Sequence, residues 1–535
     1  EMSFAGEAIA TAKKNFDKAS KELKRFPLWV GELYLEFHRG TYTSIAKNKK
    51  NNRMSEFLYQ KAETLAVTDE LLLGGSYPQK TLTEGWRTIL LNQFHDIIPG
   101  SSIFEVYEDS DMQYAETREK GTKIAEEAKA HIAANIGTQG GVLVFNPTGF
   151  TTDGEVKIGG KTGRVKGIPA HGWKVTQPDF DCSVKLNGRI AENKYYKMTI
   201  DANGNISRLY DKKAKRDVFK RGEAGNEIQI FEDLPRQFDA WEISDYYKQK
   251  MRKPDEVLEI KPITDGCRAG FSIKKRILTS VIEQNVWLYS DNPRIDFETV
   301  MDWNEEHLLV KAAFPVDVLA EKATYEIQFG HLQRPTHENT SWDKAKFEVC
   351  AHKWADIAEV GYGVSLLNDC KYGHNAEGST LKLTLLKCAT SPNPHADKGH
   401  HEFTYSLLPH TGDFRSAGTI RQAYLLNCPF EAVTVGKQNG KLEERYSPVS
   451  CDCENIVVET VKKAEDGDGV IVRLYESHGR RCTAKLEFGF AADSVFLCDM
   501  LENEIKELPV NNGKVKVAAG NFEIVTLKIR AAEKT

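Results

Sequence analysis

The stretch NQFHDIIPGSS (residues 92–102) sets His95 and Asp96 side by side just ahead of a Pro-Gly break. A neutral imidazole can ligate a transition metal, and an adjacent carboxylate can accept hydrogen bonds from the hydroxyls of a ligand. The same pair could equally finish a helix and cap its neighbouring loop, and the residue types alone do not separate the two. A phosphohydrolase that grips metal with a helical His-Asp dipeptide would need more His and Asp on nearby helices. Before residue 140 the other histidines are His38 and His131, which form no such constellation.

Other candidates are weaker. His400-His401 stands in the expected loop PNPHADKGHHEF, and Cys451 and Cys453 lack a second Cys or His pair, so neither reaches four ligands. Asn339-Thr340-Ser341 fits a glycosylation sequon by pattern only, and the lone GYG at 361–363 is no phosphate cradle. A glycosidase needs two carboxyl groups facing each other across a sugar bond. Glu32 and Glu36 alternate correctly for one side of a strand, a spacing equally suited to structural hydrogen bonds.

The elements that must position these residues follow from periodicity. A Lys-rich amphipathic helix (FDKASKELKRF, 16–26) precedes LWVGELYLEF (28–37), an apolar run of strand length, so the start resembles the last turn of an α/β unit. From Thr43 to Gly137 the pattern turns helical. Met54, Phe57, Leu58, Lys61 and Leu65 share one face, and Thr81 with Glu84 reads as a capping box ahead of Trp86, Ile89, Leu90 and Phe94. Pro99 is expected to stop that helix, with His95 and Asp96 on its last turn. Ser102 with Glu105 then opens a third helix, and short connections imply a three-helix bundle. Beyond residue 140 short alternating runs predominate, with Asn203-Gly204 a strong hairpin signal, so the last ~390 residues read as antiparallel sandwiches.

The chain of 535 residues exceeds one ordinary core. Its fold class is multidomain α + β: a small three-helix bundle followed by antiparallel β-sandwich domains, with a remnant of an α/β barrel at the N-terminus. The expected divisions are residues 1–38, 39–138, 139–435 and 436–535. A formal charge of −5 gives no field suited to nucleic acid, and the basic run KNKKNNR (47–53) is short and helix-like. Ten scattered cysteines suggest reduced thiols in the cytosol. No apolar stretch approaches the ~20 residues of a membrane span, and the first residues lack the apolar core of a signal peptide.

Several long motifs, in order, resemble the α-mannosidases of glycoside hydrolase family 38, most of all their bacterial and cytosolic branch. They are LWVGELYLEFHRGTYTS (28–44), LNQFHDIIPGSSIFEVYEDS (91–110), VFNPTGF (144–150), IFEDLPRQFDAWEISDYY (230–247), RPTHENTSWDKAKFEVCAHKW (334–354) and YGVSLLNDCKYG (362–373). The resemblance implies a retaining mechanism with an Asp nucleophile, an Asp acid/base and one zinc that binds mannose hydroxyls. It matches His95 to a zinc ligand and Asp96 to a sugar contact, and places His38, Arg39 and Tyr42 at the rim of the cleft. The loops Asn368–Gly373 and Pro392–His401 resemble those that reach toward the active site.

The family's nucleophile, acid/base and other zinc ligands lie in a barrel with no counterpart in this sequence. The resemblance therefore implies the C-terminal part of a mannosidase, with zinc absent or weakly bound and no hydrolysis by this chain alone. Its implied partners are a mannose-containing oligosaccharide and an N-terminal catalytic domain of the same polypeptide; the resemblance also allows a homo-oligomer. The reading from a different class is a carbohydrate-binding or domain-assembly module without catalysis.

Overall fold

The computed structural model describes residues 5–22 and 28–532, in two compact units, 1–36 and 37–535. The first unit contains helix α1 (Ala5–Glu22), where the Lys-rich pattern predicts one; residues 23–27 lie outside the described residues. The strand expected over 28–37 does not form. Its backbone is irregular, and Leu28, Val30 and Leu33 are 86%, 85% and 85% exposed. A strand is made by its ladder of backbone partners rather than by its composition, and no described strand pairs with this run.

In the second unit α2 (Ala46–Leu73), α3 (Gln79–Asn92) and α4 (Phe104–Ala134) pack together as the expected bundle. Tyr59, Ala62, Leu82, Ile89, Tyr114 and Ile124 fill its core. Gly85 lets α3 approach α2, since a Cβ there would stand 2.0 Å from the Tyr59 hydroxyl oxygen.

The helix ends depart from expectation. Thr81 lies inside α3, which starts after Pro78 with no side-chain cap, and α4 starts after Ile103, so neither capping box forms. α3 stops at Asn92, seven residues before Pro99, and the segment between is a run of turns. α2 is the larger surprise. Its basic run is not a solvated face: Asn48, Lys49, Asn51, Asn52 and Arg53 are all buried. The first residue before it, Ile45, has φ +54°, and the Asp397 carboxylate accepts the N–H groups of Ile45 (2.8 Å) and Ala46 (2.7 Å). A sandwich loop thus caps the helix that no local side chain caps.

The remaining chain is antiparallel sheet. A nine-stranded sheet runs from Glu256–Asp265 through Ile295–Trp303 and Gly399–Thr411 to Gly330–Pro335. A six-stranded sheet centred on Leu308–Pro315 and Thr380–Lys387 faces it, with the Phe297 and Phe314 rings 5.6 Å apart across the gap. The Asn203-Gly204 hairpin joins Tyr196–Ile200 to Ile206–Asp211, with Gly204 at φ +68°. Residues 431–446 return to pair with Gly141–Phe145 and Trp173–Thr176. The last sandwich packs a four-stranded sheet (Val449, Leu486, Val517) on a five-stranded one (Val458, Val472, Leu527). The strand Lys514–Ala519 alternates exposed and buried, as one buried face requires. Short helices α5 (Ser341–Ala345) and α6 (Thr419–Asn427) decorate these sheets. All ten cysteines are free thiols, and no helix among the described residues is long and apolar enough to cross a membrane.

Candidate functional site

His95 and Asp96 sit in the turns after α3, not on its last turn. The Phe94 carbonyl accepts N–H groups from Ile97 (2.8 Å) and Ile98 (3.1 Å), and the Ile97 carbonyl accepts from Gly100 (3.0 Å). The tight winding pushes His95 and Asp96 outward, with side chains 80% and 62% exposed and Nε2 3.6 Å from Oδ2. The Phe94 ring lies against the imidazole, tilted by 36° with ring centroids 4.4 Å apart. Leu90, Leu91, Phe94, Ile103 and Phe104 are exposed around them, so the expected apolar stripe of α3 faces outward at this end.

Exposed as it is, the corner is held from behind. Gly100 (φ +84°) lies so close to residue 44 that a Cβ would meet the Ser44 carbonyl oxygen at 2.2 Å, so only glycine fits. The Lys49 ammonium donates to the carbonyls of Ile98 (2.9 Å) and Ser44. Burial pushes its pKa down to about 7, with Asp397 acting in the opposite sense. The Tyr107 hydroxyl donates to the Ile97 carbonyl (3.1 Å) and accepts the Ser102 N–H (3.0 Å). Ser44 in turn donates to the Ala240 carbonyl (2.7 Å), and the Gly40 N–H donates to the Trp241 carbonyl (2.7 Å). The corner, the 40–44 turn and the 233–241 loop therefore form one connected surface.

The other expected residues divide. His38 and Tyr42 are half-buried at either end of the short helical turn Gly40–Tyr42. Arg39 turns inward: its guanidinium pairs with Glu242 (3.0 Å), donates to the Ala345 carbonyl (2.9 Å from Nη2) and covers the Phe347 ring at 4.3 Å. Its geometry is that of an internal tie. Residues 368–371 are also buried, where Asn368 receives Arg53 from α2. In the second loop Asp397 caps α2, whereas His395 is exposed with its ring 5.8 Å from that of Phe104. His400 and His401 belong to the start of a strand rather than a loop, and His401 is held by the Asp397 carbonyl (2.7 Å).

The sequence reading did not single out the cavity of about 330 Å³ beside the 233–241 loop, lined by Leu234, Phe238, Asp239, Trp241, His307 and Ser391 among others. Asp239 Oδ2 accepts the Thr390 N–H (2.7 Å) and stands 3.7 Å from His307 Nδ1, while its buried Oδ1 has no hydrogen-bond partner. Phe238 is exposed at φ +59°. Aromatic walls with a few polar groups suit a ring-shaped hydroxylated ligand. The signal was the run FDAW, whose two aromatics flank a carboxylate.

A zinc ion does not fit this chain's own donors. Among the described residues no group of three or more His, Cys, Asp or Glu side chains could hold a metal. His95 and Asp96 fall short of the four ligands, or three plus water, that zinc requires.

Three family models match the chain in order: "Alpha mannosidase middle domain" over 36–132, "Glycosyl hydrolases family 38 C-terminal domain" over 191–395, and "Glycosyl hydrolases family 38 C-terminal beta sandwich domain" over 455–527. The chain belongs to glycosyl hydrolase family 38. Alpha-mannosidase 2C1 of Homo sapiens is 34% identical over 97% of this chain and 52% of its own length. Alpha-mannosidase G of Dictyostelium discoideum is 32% identical over 97% and 54%, and the Saccharomyces cerevisiae alpha-mannosidase 32% over 90% and 46%. The chain thus spans about half the length of the curated relatives it matches. The crystal structure of an alpha-mannosidase from Enterococcus faecalis V583 superposes with a TM-score of 0.79 at 17% identity, over 97% of this chain and 72% of that one, which shows a shared fold. The middle-domain match spans the three helices of this family 38 chain, including the His95 corner.

Proposed function

We propose that this chain forms one wall of the cleft of a retaining, zinc-dependent α-mannosidase that removes terminal α-linked mannose from oligosaccharides. His95 would give one ligand to the zinc, which when bound would engage mannose hydroxyls. Asp96 accepts hydrogen bonds from the sugar. The other zinc ligands, the nucleophile and the acid/base come from an N-terminal catalytic domain of the same polypeptide. The reading rests on one observation above others: His95 and Asp96 are presented outward from a corner that Gly100, Lys49 and Tyr107 hold rigid from within. Catalytic geometry needs that stiffness. Ten free thiols fit a reducing, cytosolic setting.

The test is hydrolysis of a chromogenic α-mannoside by the purified 535-residue chain with zinc added, beside His95→Ala. We expect no turnover and no stoichiometric zinc in either. Turnover that His95→Ala abolishes would place the missing carboxylates within this chain and sink the division of labour proposed here. The cavity at Phe238 and Trp241 favours a second reading, a carbohydrate-binding wall with affinity of its own. Mannoside binding that survives chelation of zinc and is lost in Trp241→Ala would favour it.

A further inference from the structure

A second cavity, of about 210 Å³, opens between the start of α6 and the last sandwich. None of its lining residues belongs to the face that carries His95. It is far larger than the ~15 Å³ that one water needs. Arg415, Arg421 and His478 line it, against one carboxylate, Glu454.

The cations differ in how they are satisfied. Arg415 pairs with Asp413 (2.7 Å) and donates to the His478 carbonyl (2.9 Å). Glu454 is mostly exposed and reaches Arg480 at 3.3 Å. Arg421 has no carboxylate within 4 Å among the described residues, and its buried Nε has no acceptor. Its guanidinium lies 5.3 Å from the Phe150 ring centroid. Burial pushes its pKa down while Glu454 opposes the shift, yet a guanidinium does not give up its proton in proteins. An unpaired, part-buried charge beside an open cavity is a cost that a bound counter-ion would relieve.

The backbone adds to the same field. α6 begins at this cavity after Gly418, whose φ is +69° and which has no side chain to cap the helix. The Thr419 N–H donates to the Phe414 carbonyl (3.0 Å), and no side chain caps the Ile420 and Arg421 N–H groups that follow, where the helix dipole is positive.

We propose that this cavity binds a small tetrahedral oxyanion of the phosphate class, either inorganic phosphate or the phosphoryl group of a phosphorylated sugar. Arg421 supplies the charge-assisted hydrogen bonds, which favour phosphate geometry, and Arg415 with the α6 N-terminus completes the positive surround. The proposal uses none of the residues assigned to the mannoside cleft above and does not rest on that reading.

The experiment is calorimetric titration of the full chain, in chloride buffer at constant ionic strength, with inorganic phosphate and with a hexose 6-phosphate. The variants are Arg421→Gln, Ala417→Glu and, as a control, Arg208→Gln, an exposed arginine paired with Asp217. We expect saturable one-site phosphate binding, at least tenfold weaker in Arg421→Gln and Ala417→Glu and unchanged in Arg208→Gln. Tighter binding of the hexose phosphate identifies a sugar phosphate as the ligand; equal or weaker binding identifies free phosphate. Absence of saturable binding, or equal weakening by the control, overturns the proposal. If Arg421→Gln unfolds, as circular dichroism will show, Ala417→Glu decides, because it leaves the arginine in place and sets a carboxylate at the cavity wall.

Discussion

Residues 28–37 and the start of α2 reverse what their compositions lead one to expect. The first is apolar and exposed; the second is basic and amide-rich and buried. The reason lies in partners. The amides at the start of α2 meet complementary groups: Asn48 Nδ2 donates to Ser110 Oγ (2.7 Å), Asn51 to Asp111 (3.0 Å), and Asn52 Oδ1 accepts from Gln93 (3.0 Å) and Tyr114 (3.2 Å), while the buried Asn48 Oδ1 is left without a partner. Arg53 donates to the Tyr372 hydroxyl and to Asn368 Oδ1, both at 3.0 Å, and stacks 4.2 Å from the Tyr372 ring centroid. A buried polar group is tolerable when it is satisfied. An apolar run gains nothing from its composition without a surface to cover it.

The contrast predicts unequal responses to substitution. Arg53→Ala takes the donor from the Tyr372 hydroxyl and one of the two N–H donors from Asn368 Oδ1, which keeps the Lys371 N–H, and should destabilise the protein by about 3 kcal/mol, read as a fall in the urea midpoint. The same network should make the chain acid-sensitive. Burial, reinforced by Arg53, holds His374 at about 3 against an ordinary 6.5, and His352 beside the Tyr372 ring likewise at about 3. The unfolded chain takes up protons that the folded one refuses, so stability is full above pH 6.5 and falls as pH drops toward 3. His374 alone should cost about 3 kcal/mol between pH 7 and 4 at ~1.4 kcal/mol per unit. Urea melts of His374→Gln should show a shallower decline with acid; an identical slope would break the assignment.

Asp397→Ala removes the cap that the sandwich lends to α2 and should cost about 1–2 kcal/mol, measured by the same melts. At the small end, Leu33→Ser should change stability by less than ~0.5 kcal/mol while lowering the binding of a hydrophobic dye. A large loss of stability there would mean that the run is covered after all.

How much could be read in advance follows the same line. The three-helix bundle was legible because Leu58 and Leu65, Trp86 and Ile89, and Ile124 and Ile132 recur within their helices at spacings of seven, three and eight residues. The hairpin was legible because glycine at 204 supplies a positive φ. Thr81-Glu84 misled because the capping pattern is also an ordinary interior helix sequence, and Ser102-Glu105 because Ile103, not Ser102, directly precedes the first residue of α4. His95 and Asp96 stood out by type, yet their exposure depended on α3 ending early. Arg39 looked like a rim residue until Glu242, 203 residues away, claimed it.

The sequence by itself determined the local things: period, turn chemistry, and the family motifs around His95. These depend on residues within a few positions of one another. Tertiary structure alone decided which polar residues are buried, which apolar ones are bare, and which cavities open beside Trp241 and Arg421. Burial is a property of partners, and those partners lie far off along the chain: Arg53 meets Asn368 across 315 residues. No window of neighbouring residues contains both halves of such a contact, so its free energy has no local signature.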